Sequence, residues 1–165
     1  MTDKALANGQ GIIAKSLSRI AKKKMADKSP EEQEQFVKSV VDSIHVTTDA
    51  AKAVESTDLV IEAIIENMKI KKELFSFLDS KAPAGAIFAS NTSSLSISEV
   101  ASATKREDRF GGFHAFNPVP QMKLIEIVRT SQTSPETHET LVEVAKRMGK
   151  VPVSCKDSPL SLIHI

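Results

Sequence analysis

Apolar and polar positions along the chain change period several times. Over residues 5–27, Ile13, Leu17, Ile20, Ala21 and Met25 recur at helical spacing. That spacing predicts a helix with those five side chains as its buried face. Ser29-Pro30-Glu31-Glu32 then reads as a helix start: a capping serine, a proline at the first position and a glutamate three residues after the cap. Phe36, Val37, Val40, Val41 and Ile44 give this second helix its core stripe. Together the two predict a helical hairpin over residues 5–43.

Beyond the hairpin the pattern alternates between short apolar runs and helical stripes. A short strand is expected to end at Thr47-Thr48-Asp49, with the aspartate capping a helix over 50–55. Residues 58–65 form a continuous apolar run broken by Glu62, as in a buried parallel strand. The next helix runs to about Ser80, with Ile70, Leu74, Phe75 and Leu78 inward. Further strands are expected at 86–89, 110–116, 124–128 and 151–155. Ser96-Ile97-Ser98-Glu99 has the form of a capping box, opening a helix that ends near Thr104. Ser134-Pro135-Glu136 opens the last helix, which closes at Met148 with Gly149 behind it. Strands alternating with helices predict an α/β sheet, largely parallel, with helices on both faces. Gly111-Gly112 within a strand suggests close approach of another backbone or a ligand.

Composition narrows the function classes. The 165 residues suit one domain, and 41% hydrophobic with 26% charged content is ordinary for a globular protein. A formal net charge of +1 argues for neither nucleic acid nor an anionic membrane surface. No apolar run is long enough to span a bilayer. The single cysteine, Cys155, fits a small strand hydrophobe in a reducing compartment. No Cys/His cluster has metal-ligand spacing, so no metal is expected. Arg106 and Arg109 bracket Asp108 and read as surface ion pairs.

Two residues between Ala86 and Thr130 are out of place as mere structure. His114 lies inside one apolar strand and Glu126 inside another. A carboxylate buried in a strand costs several kcal/mol unless it has a partner. If the strands are neighbours, Glu126 can hold one nitrogen of His114 and leave the other free to take a proton. Ser93 or Asn117, each at the end of an apolar run, could then hold a substrate oxygen, since open α/β sheets present ligands beyond the carboxyl ends of their strands. A core histidine on a backbone carbonyl and an edge-strand glutamate remain the plainer alternative.

The stretches SNTSSL (90–95), FHAFNPVPQMKLIEI (113–127), DLVIEAIIENMKIKKELF (58–75) and PVSCKDSP (152–159) resemble the NAD-dependent L-3-hydroxyacyl-CoA dehydrogenases of fatty-acid β-oxidation, most of all the short-chain mitochondrial type. The resemblance spans about residues 5–159 and implies a Rossmann-like dinucleotide-binding domain carrying the hairpin as an insertion. It implies His114, Glu126, Ser93 and Asn117 as catalytic residues acting on (3S)-3-hydroxyacyl-CoA. It implies Glu66, Lys71, Ser93 and Asn117 at NAD, and Ser16, Lys23 and Ser93 at coenzyme A. From the residues alone, Glu66 reads equally as a helix-start glutamate, Lys71 as a solvated helix lysine, and Ser16, Arg19 and Lys23 as a solvated face.

The resemblance also implies a mitochondrial-matrix enzyme that dimerises through a C-terminal helical domain. That domain, and the first βαβ unit with its G-x-G-x-x-G turn, are expected to lie outside these 165 residues, which by themselves are expected to be inactive. Residues 160–165 resemble a translated sequencing-library adapter and are set aside as an artefact, His164 included. Two other functions stay open at this stage: a non-catalytic fragment with weak coenzyme A or nucleotide binding, and a dehydrogenase of free 3-hydroxy acids.

Overall fold

A computed structural model describes residues 2–158; the expectation about 160–165 falls outside the described residues. The chain divides into two compact units, the first ending at Lys52 and the second beginning at Ala53, and each is taken by itself.

The first unit is a pair of packed helices. α1 spans Asp3–Lys24, with Thr2 as its N-cap accepting from the Ala5 N–H. α2 spans Pro30–Asp42 and carries the full capping box: Ser29 accepts from the Glu32 N–H, and the Glu32 carboxylate from the Ser29 N–H. The expected buried face of α1 is only partly buried. Ala21 is its one buried residue, while Ile13 and Ile20 stay 38% and 37% exposed. Two helices can shield only the strip where they touch, and a helical apolar stripe is wider than that strip. The strand expected to end at Thr47-Thr48-Asp49 is not formed: the residues before Asp49 carry no strand pairing among the described residues. Asp49 nevertheless caps α3 (Ala50–Val54), accepting from the N–H groups of Ala51 and Lys52.

The second unit is a five-stranded Rossmann-like sheet in chain order: β1 Leu59–Glu62, β2 Ile87–Ser90, β3 Phe110–Ala115, β4 Leu124–Arg129 and β5 Val151–Lys156. Among the described residues only the β3–β4 pairing is antiparallel; the others are parallel. α4 (Met68–Asp79) and α5 (Ile97–Ala101) cover one face and α6 (Pro135–Arg147) the other. The two-residue period of the strands sorts the core accordingly. Phe88 and Phe110 join Phe75, Leu78, Ile97 and Val100 on the α4/α5 face, while Ile87, Ala89, Phe113, Ile125 and Ile127 meet Leu141 and Ala145 under α6. Phe75 packs edge-on against Phe110, ring centroids 4.7 Å apart, and tilted against Phe88 at 5.6 Å.

Several local expectations change. β1 stops at Glu62, short of residue 65, and Ile70 is an exposed residue of α4 rather than an inward one. α5 begins at Ser96, which accepts from the Glu99 N–H, but the reciprocal carboxylate is not Glu99. Asp157, just past β5, instead takes the N–H groups of Ile97 and Ser98 and the hydroxyls of Ser96 and Ser98. Glu99 faces Lys72 instead. Arg106 is not a surface partner of Asp108. It is buried, its Nε 2.6 Å from Asp79 Oδ1, its NH1 donating to the carbonyls of Pro83 and Ala86, and its guanidinium 4.6 Å above the Phe88 ring.

Gly111 and Gly112 mark close approaches, the first of α6 and the second of β4. A Cβ on Gly111 would lie 2.7 Å from Leu141 Cδ1, and one on Gly112 would lie 2.7 Å from Val128 Cβ. Among the described residues no helix is long and apolar enough to cross a membrane.

Candidate active site

The antiparallel β3–β4 pair sets His114 directly opposite Glu126. Residues opposite one another in such a pair share a face of the sheet. Here that face is the one under α5, because Phe110 and Gly112 point that way along β3, and His114 follows at the next step of two. Glu126 is 3% exposed and His114 7%. His114 Nδ1 stands 2.7 Å from Glu126 Oε2. A carboxylate can only accept, so Nδ1 carries the proton and Nε2 of the neutral ring presents a lone pair. That lone pair faces Ser93 Oγ at 3.0 Å. The Phe116 ring leans on the imidazole, centroids 4.6 Å apart.

Ser93 reaches His114 from the turn that follows β2, and Glu66 holds that turn. Glu66 Oε1 accepts from the Ser93 N–H at 3.1 Å, from the Thr92 hydroxyl, and from Ser94 Oγ at 3.4 Å. Its other oxygen lies 3.3 Å from Lys71 Nζ. Burial pushes the Glu66 carboxyl up, but the hydrogen bonds from Thr92, Lys71 and the Ser93 N–H, with the charge of Lys71, outweigh it and hold the group below the usual carboxylate range. It therefore stays ionised and half-open to solvent. Glu66 is not a helix-start acid: Asn67 caps α4 by accepting from the Ile70 N–H.

Lys71 is no solvated lysine either. Its side chain is fully buried, and Nζ donates to Glu62 Oε1 at 2.7 Å. Glu62 also accepts from Ser90 Oγ and from the Ile64 N–H, each at 2.6 Å. Asn91, between β2 and the Ser93 turn, accepts from the Ala115 N–H at 2.8 Å and so clamps the end of β3 beside His114. Glu62, Ser90, Asn91 and Thr92 were not among the expected site residues. The signal for Glu62 was present in the sequence: a charge inside an apolar strand, the same anomaly that marks Glu126.

The structure thus brings Ser93, His114 and Glu126 into one line, with Glu66 and Lys71 behind Ser93. Asn117 lies exposed in the turn after β3, where the Asn117–Pro118 peptide is cis. Lys150 Nζ ties that turn down through the carbonyls of Val119 and Met122. Ser16 and Lys23 are on α1, in the other unit; Ser16 is half-buried and Lys23 exposed. Burial, and then the charge of Glu126, push the Cys155 thiol up on the neighbouring strand. No group of three or more His, Cys, Asp or Glu able to hold a metal occurs among the described residues.

A nicotinamide cofactor is testable against these residues. The ionised Glu66 edge and the exposed Ser93 hydroxyl lie beyond the carboxyl ends of β1 and β2, with Ser93 against His114, and suit the ribose and nicotinamide end of such a group.

Comparison with known proteins gives a consistent result. A family model described as "3-hydroxyacyl-CoA dehydrogenase, NAD binding domain" matches residues 1–158. The chain is 54% identical over 163 residues to the mitochondrial hydroxyacyl-coenzyme A dehydrogenase of Sus scrofa, covering 99% of this chain and 52% of that protein. Its fold superposes on the (S)-3-hydroxybutyryl-CoA dehydrogenase of Ralstonia eutropha with a TM-score of 0.84 at 39% identity, over 96% of this chain and 53% of that one. A diketoreductase of dicarbonyl compounds gives a TM-score of 0.85 at 30% identity, over 99% and 56% of the two chains. The chain spans about half the length of the curated relatives it matches.

Proposed function

The chain belongs to the 3-hydroxyacyl-CoA dehydrogenase family, as an NAD-binding domain, and from that membership we propose that it forms the proton-transfer and nicotinamide half of an enzyme oxidising (3S)-3-hydroxyacyl-CoA to 3-oxoacyl-CoA. The observation that carries the reading is the line Ser93–His114–Glu126, with spacings of 3.0 and 2.7 Å.

His114 Nε2 takes the proton of the substrate's 3-hydroxyl as the C3–H bond breaks and the carbonyl forms. NAD supplies the acceptor for the hydride that leaves C3. Glu126 keeps the Nδ1–H tautomer and offsets the charge that His114 acquires. Ser93 Oγ, already beside Nε2, donates to the substrate oxygen and holds it in line with the base. Asn117, in the turn after β3 that Lys150 ties down, contributes a second polar contact to the reacting centre. Glu66 accepts from the ribose side of the cofactor while holding the Ser93 turn. Ser16 and Lys23 serve coenzyme A in this reading. The same reading puts the enzyme in the mitochondrial matrix, supported by the mitochondrial designation of its mammalian relatives, with two copies pairing through a further domain.

The test is an NADH-oxidation assay with acetoacetyl-CoA on the protein expressed from its full reading frame. His114→Ala should lower kcat by about 10²–10⁴-fold, the range of a positioned general base. Turnover of H114A equal to the unsubstituted protein refutes the role. The likeness to a diketoreductase favours a second reading, a dehydrogenase of carbonyl compounds without coenzyme A. Acetoacetate turned over faster than acetoacetyl-CoA would select it.

A further inference from the structure

Glu62 and Lys71 take no part in the steps above, yet Glu62 is as enclosed as Glu126, at 3% exposure, and Lys71 is fully buried. Glu62 sits at the carboxyl end of β1 and Lys71 one turn into α4. Every buried polar side-chain atom among the described residues has a partner. Stability is a weak reason for such an arrangement, because a buried ion pair is commonly no better than apolar side chains of the same volume.

Direction is the stronger reason. Lys71 has two carboxylates to serve, Glu62 at 2.7 Å and Glu66 at 3.3 Å. The shorter contact anchors the ammonium, since Glu62 is itself pinned by the Ser90 hydroxyl and the Ile64 N–H. The anchored ammonium then holds one oxygen of Glu66 and leaves the other facing the Thr92–Ser94 turn. That turn carries the hydroxyl placed 3.0 Å from His114 Nε2.

We propose that Glu62, acting through Lys71 and Glu66, is a positioning residue that sets the Ser93 hydroxyl against His114. The contacts run without a gap: Glu62, Lys71, Glu66, Ser93, His114, Glu126. The inference rests on the proposed function of His114 as the base.

Glu62→Gln tests it in the protein expressed from its full reading frame. Glutamine fills the same space and can still meet Ser90 and Lys71, but it removes the charge. Lys71 is then left with Glu66 as its sole carboxylate, and Glu66 is drawn toward α4 and off the Ser93 turn. Expected is a fall in kcat of about tenfold, with KM for the acyl substrate within about twofold, as for a reacting group displaced by less than 1 Å. A merely structural role predicts losses that multiply with those of a second variant; a role through Ser93 does not. Ser93→Ala should therefore cost far less in the E62Q background than in the unsubstituted protein. A kcat for E62Q within twofold of normal, or losses in the double variant that multiply, overturns the proposal. If E62Q does not fold, Ser90→Ala, which removes one anchor of Glu62, is read by the same cycle and the same two criteria. H114A, run alongside, separates the readings: full activity there refutes the base, whereas an inactive H114A beside additive E62Q and S93A refutes only the role of Glu62.

Discussion

Alanine at Gly112 tests how tightly packing sets the approach of β3 to β4. Its Cβ would lie 2.7 Å from Val128 Cβ and 3.1 Å from both Val128 Cγ2 and Ile97 Cδ1. Carbon atoms rest at about 3.5–4.0 Å, so the new methyl is roughly 1 Å too deep. Ile97 Cδ1 can swing aside. Val128 Cβ cannot, because it is fixed to the backbone of β4 directly opposite Gly112. Relief requires the two strands to part or shear. Overpacking of this kind costs about 1–3 kcal/mol, and the smaller freedom of alanine in the unfolded chain returns about 0.4–1 kcal/mol. The net expectation for G112A is a destabilisation of about 1–2 kcal/mol. Gly111 provides the control. There the nearest atom, also at 2.7 Å, is Leu141 Cδ1, the far end of a rotatable side chain, with Val128 O at 3.3 Å. G111A should therefore fall within about 1 kcal/mol of the unsubstituted protein. Urea unfolding followed by far-UV circular dichroism, with the slopes compared, measures both. Because His114 and Glu126 are the next rung but one along the same strands, G112A should also lose turnover under conditions where it is fully folded. A G112A protein as stable as its parent, or a G111A protein less stable than G112A, refutes the reasoning.

Arg106→Met leaves Asp79, whose side chain is 11% exposed, without its cation, and should cost about 3–5 kcal/mol in the same unfolding assay. Arg106→Lys keeps the charge but loses the fork that serves Asp79, Pro83 and Ala86 at once, so it should fall between the two; a lysine variant equal to arginine would contradict the geometry. Burial raises the Asp157 carboxyl, but bonds from the Ser98 hydroxyl and N–H, the Ile97 N–H and the Ser96 hydroxyl outweigh it and hold the group below its ordinary 3.8. A depressed folded-state value means the contribution is complete above that ordinary value and fades as pH falls through the lower one. The Tm difference between the parent protein and Asp157→Asn should therefore be constant at neutral pH and shrink below about pH 4; a gap that widens on acidification would refute the assignment.

The fold was legible wherever one residue's period or chemistry sufficed. The prolines and serines that start α2 and α6 act within one helical turn, so spacing finds them. His114 and Glu126 were legible because each breaks an apolar strand. The same test applied to Glu62 would have exposed the second buried acid. What spacing could not give was the identity of distant partners. The carboxylate that caps α5 arrives from about sixty residues away, at Asp157, and the partner of Arg106 is Asp79 rather than the adjacent Asp108. Both belong to the meeting of elements in three dimensions. The α1 stripe misleads for the opposite reason: periodicity records which residues share a face, while the area available to cover that face depends on what packs there.

The antiparallel rung at His114 and Glu126 has a consequence for how this sequence tolerates insertions and deletions. Residues may be added to or removed from the connection between β3 and β4 without changing which residues face each other, because the ladder, and not the connection, fixes that alignment. One residue inserted within β4 ahead of Glu126 has the opposite effect. It turns the carboxylate to the α6 side of the sheet and brings Ile125 or its replacement under His114. Length variation among natural or engineered versions of this chain should therefore collect between residues 118 and 123, past the Asn117 that the site uses, and should stop abruptly at the first hydrogen-bonded pair of the two strands.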